Sequence, residues 1–350
     1  MNETVISTKD NKQVIYIPEK CIGCGTCVMV CPKETLVIGS VGPVARGLID
    51  KEFLEIRPNT CITCGMCSKV CPTGALEMRE DGKPVEEKTF LINAIKPTTV
   101  NDDCVHCGLC EQVCPQGCIE VDQWLSNDNE AKIDGTTTIN QECCVHCGWC
   151  ESVCPVDAIE VEKPFEGTWF RDENVCQACR TCVDVCPCNA LFNPEWKAGE
   201  RVDKVAQRPD ACIYCGACAV SCPVQAIDVR KTAITAEMEK KKVFEKKLLD
   251  KPSPEPTLTS ELVTDEYDCL GCGNCVIVCP VNAYANKELA AGHLNNMDEK
   301  ALLEVENGAV NVVDQKVCGS CGACAMICPT NAIWLEKRDC LLYTSPSPRD

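Results

Sequence analysis

Cysteine carries the chemistry in this sequence. The pattern Cys-x-x-Cys-x-x-Cys-x-x-x-Cys-Pro begins at positions 21, 61, 104, 144, 176, 212, 269 and 318, and its eight copies use 32 of the 36 cysteines. The sets are Cys21, Cys24, Cys27 and Cys31; Cys61, Cys64, Cys67 and Cys71; Cys104, Cys107, Cys110 and Cys114; and Cys144, Cys147, Cys150 and Cys154. They continue as Cys176, Cys179, Cys182 and Cys186; Cys212, Cys215, Cys218 and Cys222; Cys269, Cys272, Cys275 and Cys279; and Cys318, Cys321, Cys324 and Cys328. A zinc site takes its ligands as two pairs and has no use for a third cysteine at the same short interval. Three cysteines at i, i+3 and i+6 instead wrap a tight loop around three corners of an Fe4S4 cube. The fourth lies on a short helix leading away, and in two-cluster ferredoxins it ligates the other cluster. Such clusters, coordinated at every iron, pass single electrons and make no bonds.

The local elements follow from the same repeat. Glycine stands after the second cysteine in seven copies, which suits a loop needing positive φ and amides close to sulfur. Motif five has Arg180 there. The closing proline lacks an N–H and turns the chain out of the helix. Alternating segments such as VIYIPEKC at 14–21 and AVNVVDQKVC at 309–318 precede many motifs, and CPTGAL, CPVDAI or CPVNAY-like segments follow them. Each unit therefore reads as strand, cysteine loop, short helix, strand. The fold class is α+β, built as tandem bacterial-type two-cluster [4Fe–4S] ferredoxin modules. Eight complete motifs imply eight [4Fe–4S] clusters.

In the first module, Cys21, Cys24 and Cys27 take Cys71, while Cys61, Cys64 and Cys67 take Cys31. The simplest continuation pairs motifs three with four, five with six and seven with eight, giving modules at 13–80, 97–163, 168–230 and 263–339. The gap from Cys154 to Cys176 is the shortest between motifs, so four and five pairing inside three and six is a second solution. Residues 231–262 hold the longest connector. Its first part, AEMEKKKVFEKKLLDK at 236–251, reads as a solvated helix, and Lys251–Pro256 as an extended spacer.

Composition narrows the class. With 36 cysteines in 350 residues the alternatives are a secreted disulfide scaffold, a zinc array or iron–sulfur clusters. The first residues, MNETVISTKDNKQV, are polar and lack the apolar run of an export signal. No stretch approaches the roughly 20 apolar residues of a membrane span, so a cytoplasmic protein with no membrane span is expected. The 52 acidic residues against 34 basic ones, net −18, argue against nucleic acid. Eight oxidised clusters would add on the order of −16 and favour potentials of about −400 mV. Aromatic residues are too few for one large core, so metal insertion must supply folding free energy. Ala75, Ala158, Ala190 and Ala226 are expected to pack against the cubanes.

Several residues stand apart. Cys118, Cys143 and Cys188 read as small buried hydrophobes. Arg180 is either a cation raising its cluster's potential or an exposed side chain over a strained loop. His106 and His146, inside their first Cys-x-x-Cys, read as exposed loop residues, with donation to a cluster sulfur as the alternative. Residues 340–350, CLLYTSPSPRD, match codon for codon the translation of a transposase adapter used in sequencing libraries, so Cys340 is set aside.

Over about residues 14–335 the eight motifs resemble the polyferredoxins of methanogenic and related anaerobic archaea. Motif number and length are most similar to the polyferredoxin component of the tungsten- or molybdenum-dependent formylmethanofuran dehydrogenase. That resemblance implies a non-catalytic electron-transfer subunit, not an enzyme on its own. Its electrons would come from a ferredoxin or a heterodisulfide reductase–hydrogenase complex. They would go to the tungsten/molybdenum subunits of the dehydrogenase, which reduce CO2 in methanogenesis. A hydrogenase- or heterodisulfide-reductase-associated polyferredoxin is the alternative.

Overall fold

The computed structural model describes residues 3–9, 11–50, 52–57, 59–85, 90–125, 133–195, 204–255, 260–286, 289 and 301–337. Residues 340–350, with Cys340, lie outside them. Each motif produces one short helix starting one residue before its third cysteine. In chain order these are Thr26–Val30, Met66–Lys69, Leu109–Val113, Trp149–Ser152, Thr181–Asp184, Ala217–Val220, Asn274–Val278 and Ala323–Ile327.

Strand pairing decides which motifs belong together. Lys12–Tyr16, ahead of motif one, pairs antiparallel with Leu76–Glu80, behind motif two. Between those motifs, Leu36–Ile38 pairs with Leu54–Ile56. The same exchange recurs three times. Thr99–Val100 pairs with Ile159–Glu160 around motifs three and four, and Ile119–Leu125 with Ile133–Ile139 between them. Phe165–Arg171 pairs with Ile227–Ile234, and Leu191–Phe192 with Ala206–Gln207. Ser260–Thr264 pairs with Ile333–Lys337, and Leu303–Glu306 with Ala309–Val312. The helices of motifs one and two, three and four, five and six, and seven and eight also pack against each other. Among the described residues no strands pair motif four with five or motif three with six, as a nested arrangement would.

Motif seven departs from the repeat. Elsewhere the residue three after the fourth cysteine has positive φ, from Glu34 and Gly74 through to Asn331. After Cys279 the proline instead opens a helix, Pro280–Ala285. The proline's fixed φ is compatible with a first helical position, so here it starts a helix rather than ending one. Asn282 anchors this variant: it is fully buried, donates to Leu303 O at 2.7 Å and accepts from Leu302 N at 2.7 Å.

Among the described residues no single core forms: buried side chains make six clusters, and most include the cysteines. One combines Tyr16, Leu36, Ile38, Leu54 and Leu76 with Cys27 and Cys71. This cluster also takes in Val185 and Val220 of the motif five–six unit, and two further clusters cross between strand-paired units. Val145, Cys147, Cys188, Ala190, Ile213 and Cys215 form one, with Ile22 and Cys24 packed on it. Val30, Val70, Phe165 and Ile234 join Phe244 and Leu248 in the other.

This second cluster corrects the reading of residues 236–251. The helix is Lys241–Leu248, and its Phe244 and Leu248 are buried completely. Its spacing of apolar residues at i and i+4 makes one face, which lies against Thr26–Val30, with Lys247 Nζ donating to Val30 O at 3.0 Å. The charged composition concealed a docked helix. The proline-rich segment after it is also not free: a Cβ added at Gly25 would meet Pro254, and one at Gly216 would meet Ser253. It runs between the loops of motifs one and six. Removing the Phe244 ring should cost about 3–5 kcal/mol. Phe244→Ala is therefore expected to speed amide exchange across 241–248 while leaving exchange in the strands Leu303–Glu306 and Ala309–Val312 unchanged.

Candidate metal centres

Two left-handed residues shape every cysteine loop. The residue before the second cysteine has positive φ in all eight copies: Gly23, Thr63, His106, His146, Ala178, Tyr214, Gly271 and Ser320. The residue after it does so too, from Gly65 at 69° to Gly216 at 98°, with Arg180 at 65°. The alternation turns the three cysteine side chains inward. The fourth cysteine is held differently. The amide four residues on donates to its sulfur: Ala75 N to Cys71 Sγ and Ala158 N to Cys154 Sγ at 3.2 Å, Ala190 N to Cys186 Sγ at 3.3 Å, Ala226 N to Cys222 Sγ at 3.2 Å. These alanines are buried, so their place in the repeat serves both packing and the sulfur's hydrogen bond.

The cysteines converge across motifs. Cys61, Cys64 and Cys67 line one cavity of about 370 Å³ together with Cys31. Cys144, Cys147 and Cys150 line another of about 370 Å³ with Cys114. Cys212, Cys215 and Cys218 meet Cys186 around about 360 Å³, and Cys269, Cys272 and Cys275 meet Cys328 around about 350 Å³. Elsewhere electrostatic proximity reports the same exchange. Burial pushes Cys27 far up, with Cys24, Cys21 and Cys71 adding to it. Cys182 is raised by burial and by Cys179, Cys222 and Cys176. Cys324 is raised by burial and by Cys321, Cys279 and Cys318.

Among the described residues no three His, Cys, Asp or Glu side chains close on one point as a single metal ion requires. A zinc–sulfur bond of about 2.3 Å would hold its sulfurs only ~3.8 Å apart. The tetrads stand around cavities instead. Burial and neighbouring thiols push Cys21 and Cys150 up to about 12, and Cys275 to about 11. Buried sulfurs such as those of Cys27, Cys182 and Cys324, which resist ionisation alone yet must ionise to bind metal, suit a multi-iron centre that supplies the missing positive charge. The cysteine sets therefore fit a [4Fe–4S] group.

The tetrads differ in what lies outside them. The second cysteine is exposed in motifs two, three and seven: Cys64, Cys107 and Cys272. In the other five motifs it faces another part of the chain. Cys24 adds to the upward shift of Cys215, and a Cβ on Gly216 would lie 3.8 Å from Cys24 O. Cys147 is drawn down to about 7 by a hydrogen bond with Cys188, whose own surroundings include Cys215. Cys179 lies close enough to Cys321 to raise it. Arg46 stands at that last contact. Its Nη1 donates to Cys321 O at 2.6 Å, its Nη2 to Cys179 O at 3.0 Å and its Nε to Asp184 at 2.8 Å. Gly42, in the same helix (Val41–Ala45), must be glycine, because a Cβ would come within 2.7 Å of Thr181 Cγ2.

Several residues depart from their reading in the sequence. His146 is not exposed but 3 % accessible, and desolvation draws its imidazole down despite Glu162. His106 is half-buried, with Nδ1 3.6 Å from Cys104 Sγ and 3.0 Å from Thr137 Oγ1. Cys118 and Cys143 are joined in a disulfide with Cα atoms 5.9 Å apart, rather than packing as separate small hydrophobes. Cys188 does pack as one, with 1 % of its surface accessible. Arg180 is exposed. Sequence reading passed over the basic residues that reach the cysteine loops. Lys231 Nζ donates to Cys215 O at 3.0 Å, Lys163 Nζ to Cys212 O at 3.2 Å, and Lys204 to Cys176 O. The signal for Lys231 was present: it shares the inward face of Ile227–Ile234 with Ile227 and Val229.

The 4Fe-4S dicluster domain matches residues 60–118, 103–158, 143–190 and 211–283, more than half the chain. The chain belongs to the 4Fe-4S dicluster family. Two further dicluster patterns match this family member at 20–76 and 261–329. Over 52 residues it is 42% identical to one component of tungsten-containing formylmethanofuran dehydrogenase 2 from Methanopyrus kandleri, covering 15% of this chain and 66% of the relative. It is 51% identical over 54 residues to polyferredoxin protein FwdG of Methanocaldococcus jannaschii, covering 15% and 63%. Probable oxidoreductase YjgC of Bacillus subtilis is 32% identical over 105 residues, covering 29% of this chain and 9% of the relative. The chain thus spans about a tenth of YjgC and just under two thirds of the other two. Among solved structures, a chain of the formate dehydrogenase–heterodisulfide reductase–formylmethanofuran dehydrogenase complex from Methanospirillum hungatei matches with a TM-score of 0.59 and 29% identity. The match covers 73% of this chain and 94% of that one. This dicluster protein is similar to polyferredoxin subunits of formylmethanofuran dehydrogenases. Among the described residues no helix is long and apolar enough to cross a membrane.

Arg180 carries the one left-handed position after a second cysteine that lacks glycine. Relieving its Cβ should stabilise the loop by on the order of 1 kcal/mol. Arg180→Gly is expected to raise the midpoint of anaerobic thermal unfolding, with iron content unchanged.

Proposed function

We propose that this polyferredoxin carries eight [4Fe–4S] clusters and conducts low-potential electrons to the catalytic subunit of a formylmethanofuran dehydrogenase complex, in which CO2 is reduced. The proposed ligand sets take three cysteines from each motif and the fourth from its strand-paired neighbour: Cys71 for motif one, Cys31 for two, Cys154 for three and Cys114 for four. Cys222 completes motif five, Cys186 six, Cys328 seven and Cys279 eight. The observation that supports the reading is that Cys31 lines one cavity with Cys61, Cys64 and Cys67, and Cys328 another with Cys269, Cys272 and Cys275. The bound groups supply one-electron storage and release. The chain's residues determine which groups adjoin.

That adjacency is branched. The ligand sets of motifs one and four both face motif six, through Cys24 and through Cys147 with Cys188. The motif-five set faces motif eight through Cys179 and Cys321. Cys64, Cys107 and Cys272 mark three outer ends open to partners. Three ends suit a conduit inserted between more than two redox partners. The match to a complex whose name joins formate dehydrogenase, heterodisulfide reductase and formylmethanofuran dehydrogenase supports such surroundings. The donor then docks at one end and the tungsten or molybdenum subunit at another.

Iron analysis of cysteine pairs tests the ligand exchange. Cys24→Ala and Cys71→Ala should each remove one cluster, and the double variant should lose no more than either alone. Cys64→Ala with Cys71→Ala should lose two; additive loss in the first pair would sink the assignment. Function is tested by mixing the dithionite-reduced protein with the oxidised catalytic subunits of a formylmethanofuran dehydrogenase. Reoxidation of its clusters at least as fast as turnover is expected, and slower reoxidation rules out the conduit.

A further inference from the structure

Five hydrogen bonds among the described residues run from a lysine or arginine side chain to the carbonyl of a motif cysteine. They come from Arg46 to Cys179 and Cys321, from Lys163 to Cys212, from Lys204 to Cys176 and from Lys231 to Cys215. Four of the five end on motifs five and six, and the other on motif eight. None ends on motif two, three or seven, whose second cysteines face solvent. In a chain of net charge −18, this concentration of cations is not what the overall composition would produce.

The placement is also deep. Arg46 has 4 % of its side chain accessible, and Lys231 is 3 % accessible. Lys231 lies 5.0 Å from the Phe165 ring centroid, and the thiols around it are Cys24, Cys215, Cys218 and Cys212. A buried ammonium needs a counter-charge, and its surroundings offer the sulfurs of motifs one and six. Lys163 lies beside Cys147 as well as Cys212, at the contact of motifs four and six. Arg46 lies at the contact of motifs five and eight. Each of the three contacts between paired units thus holds one cation. Lys204 adds a fourth at motif five.

Reduction of a cluster adds one negative charge, so a fixed cation in a poorly solvated site favours the reduced form. We propose that Lys163, Lys204 and Lys231 make the module of motifs five and six the electron-collecting centre of the chain, its two clusters being the first of the eight to be reduced; the charge of Arg46 is offset by Asp184, 2.8 Å away. The inference rests on the eight-cluster reading above and goes beyond it by ranking the clusters. It gives the three lysines a positioning role for charge, distinct from merely tying loops together. The branch point then holds electrons in common for all three ends, and an electron entering at one end is drawn inward before it leaves by another.

Potentiometric titration of the anaerobic full-length protein, followed by EPR at each step, tests this. In the unaltered protein the first clusters to be reduced should be shielded from a soluble dysprosium chelate, whereas later ones should show enhanced relaxation. Lys231→Met and Lys163→Met should each lower the equilibrium constant of the first step about tenfold, which is 59 mV for a one-electron couple. Lys231→Arg and the half-exposed Lys12→Met should leave that step in place. An unmoved first step in both methionine variants, with iron retained, overturns the proposal. So does a first step that the chelate relaxes. If Lys231→Met loses iron, the half-buried Lys163→Met decides. Fewer than eight clusters in the unaltered protein would instead sink the underlying reading.

Discussion

The rest of this molecule depends on sulfur that cannot stay buried by itself. Thiols gathered four to a cavity, most of them shielded from water, are driven away from ionisation by burial and by one another. Strands of two to eight residues and helices of four to eight residues could not hold such a cavity open on their own. Multi-iron centres reverse the balance, because the metal supplies positive charge where solvent cannot. Cores such as that of Tyr16, Leu36 and Leu76 are then half protein and half cluster, which accounts for how a chain with so few aromatic residues folds at all.

Interlocking extends this dependence from one motif to its neighbour. The family pattern can be laid on the sequence at successive motifs, so that 60–118, 103–158 and 143–190 all satisfy it. Repetition makes the sequence ambiguous about where one unit stops. The ambiguity is resolved by contacts far apart in the chain: Tyr16 opposite Leu76, Val100 opposite Ile159, Arg171 opposite Ile227 and Thr264 opposite Ile333. These pairings depend on strand partners whose short alternating patterns look alike in all four units.

The cysteine loops were legible because their chemistry is local. Spacing alone gave the eight helices, the reversal after seven of the eight prolines and the left-handed turn at Gly65 or Gly322. It failed where a tertiary partner overrode composition. Phe244 and Leu248 were hidden among lysines, and the helix after Pro280 depends on Asn282 finding backbone partners at Leu302 and Leu303. His146 looked like a loop residue because loops are ordinarily wet, yet this loop is pressed against a neighbouring unit. Arg180 drew notice as the cation next to a motif, while the cations that reach the loops come from elsewhere in the chain: a helix end at 46, an extended segment at 163, and a strand at 231. Only the last carried a local sign, its position on an inward face.

The exposure of Cys64, Cys107 and Cys272 has a consequence for how the protein ages. Oxidants reach thiolates and their clusters from solvent, so injury should begin at the outermost positions and spare the interior ones. On the proposed branched path, a molecule that has lost one tip would keep the route between the other two, whereas a linear chain of the same length would be severed by a single break. Such branching would give tolerance of damage and place the most vulnerable atoms where a docked partner would cover them.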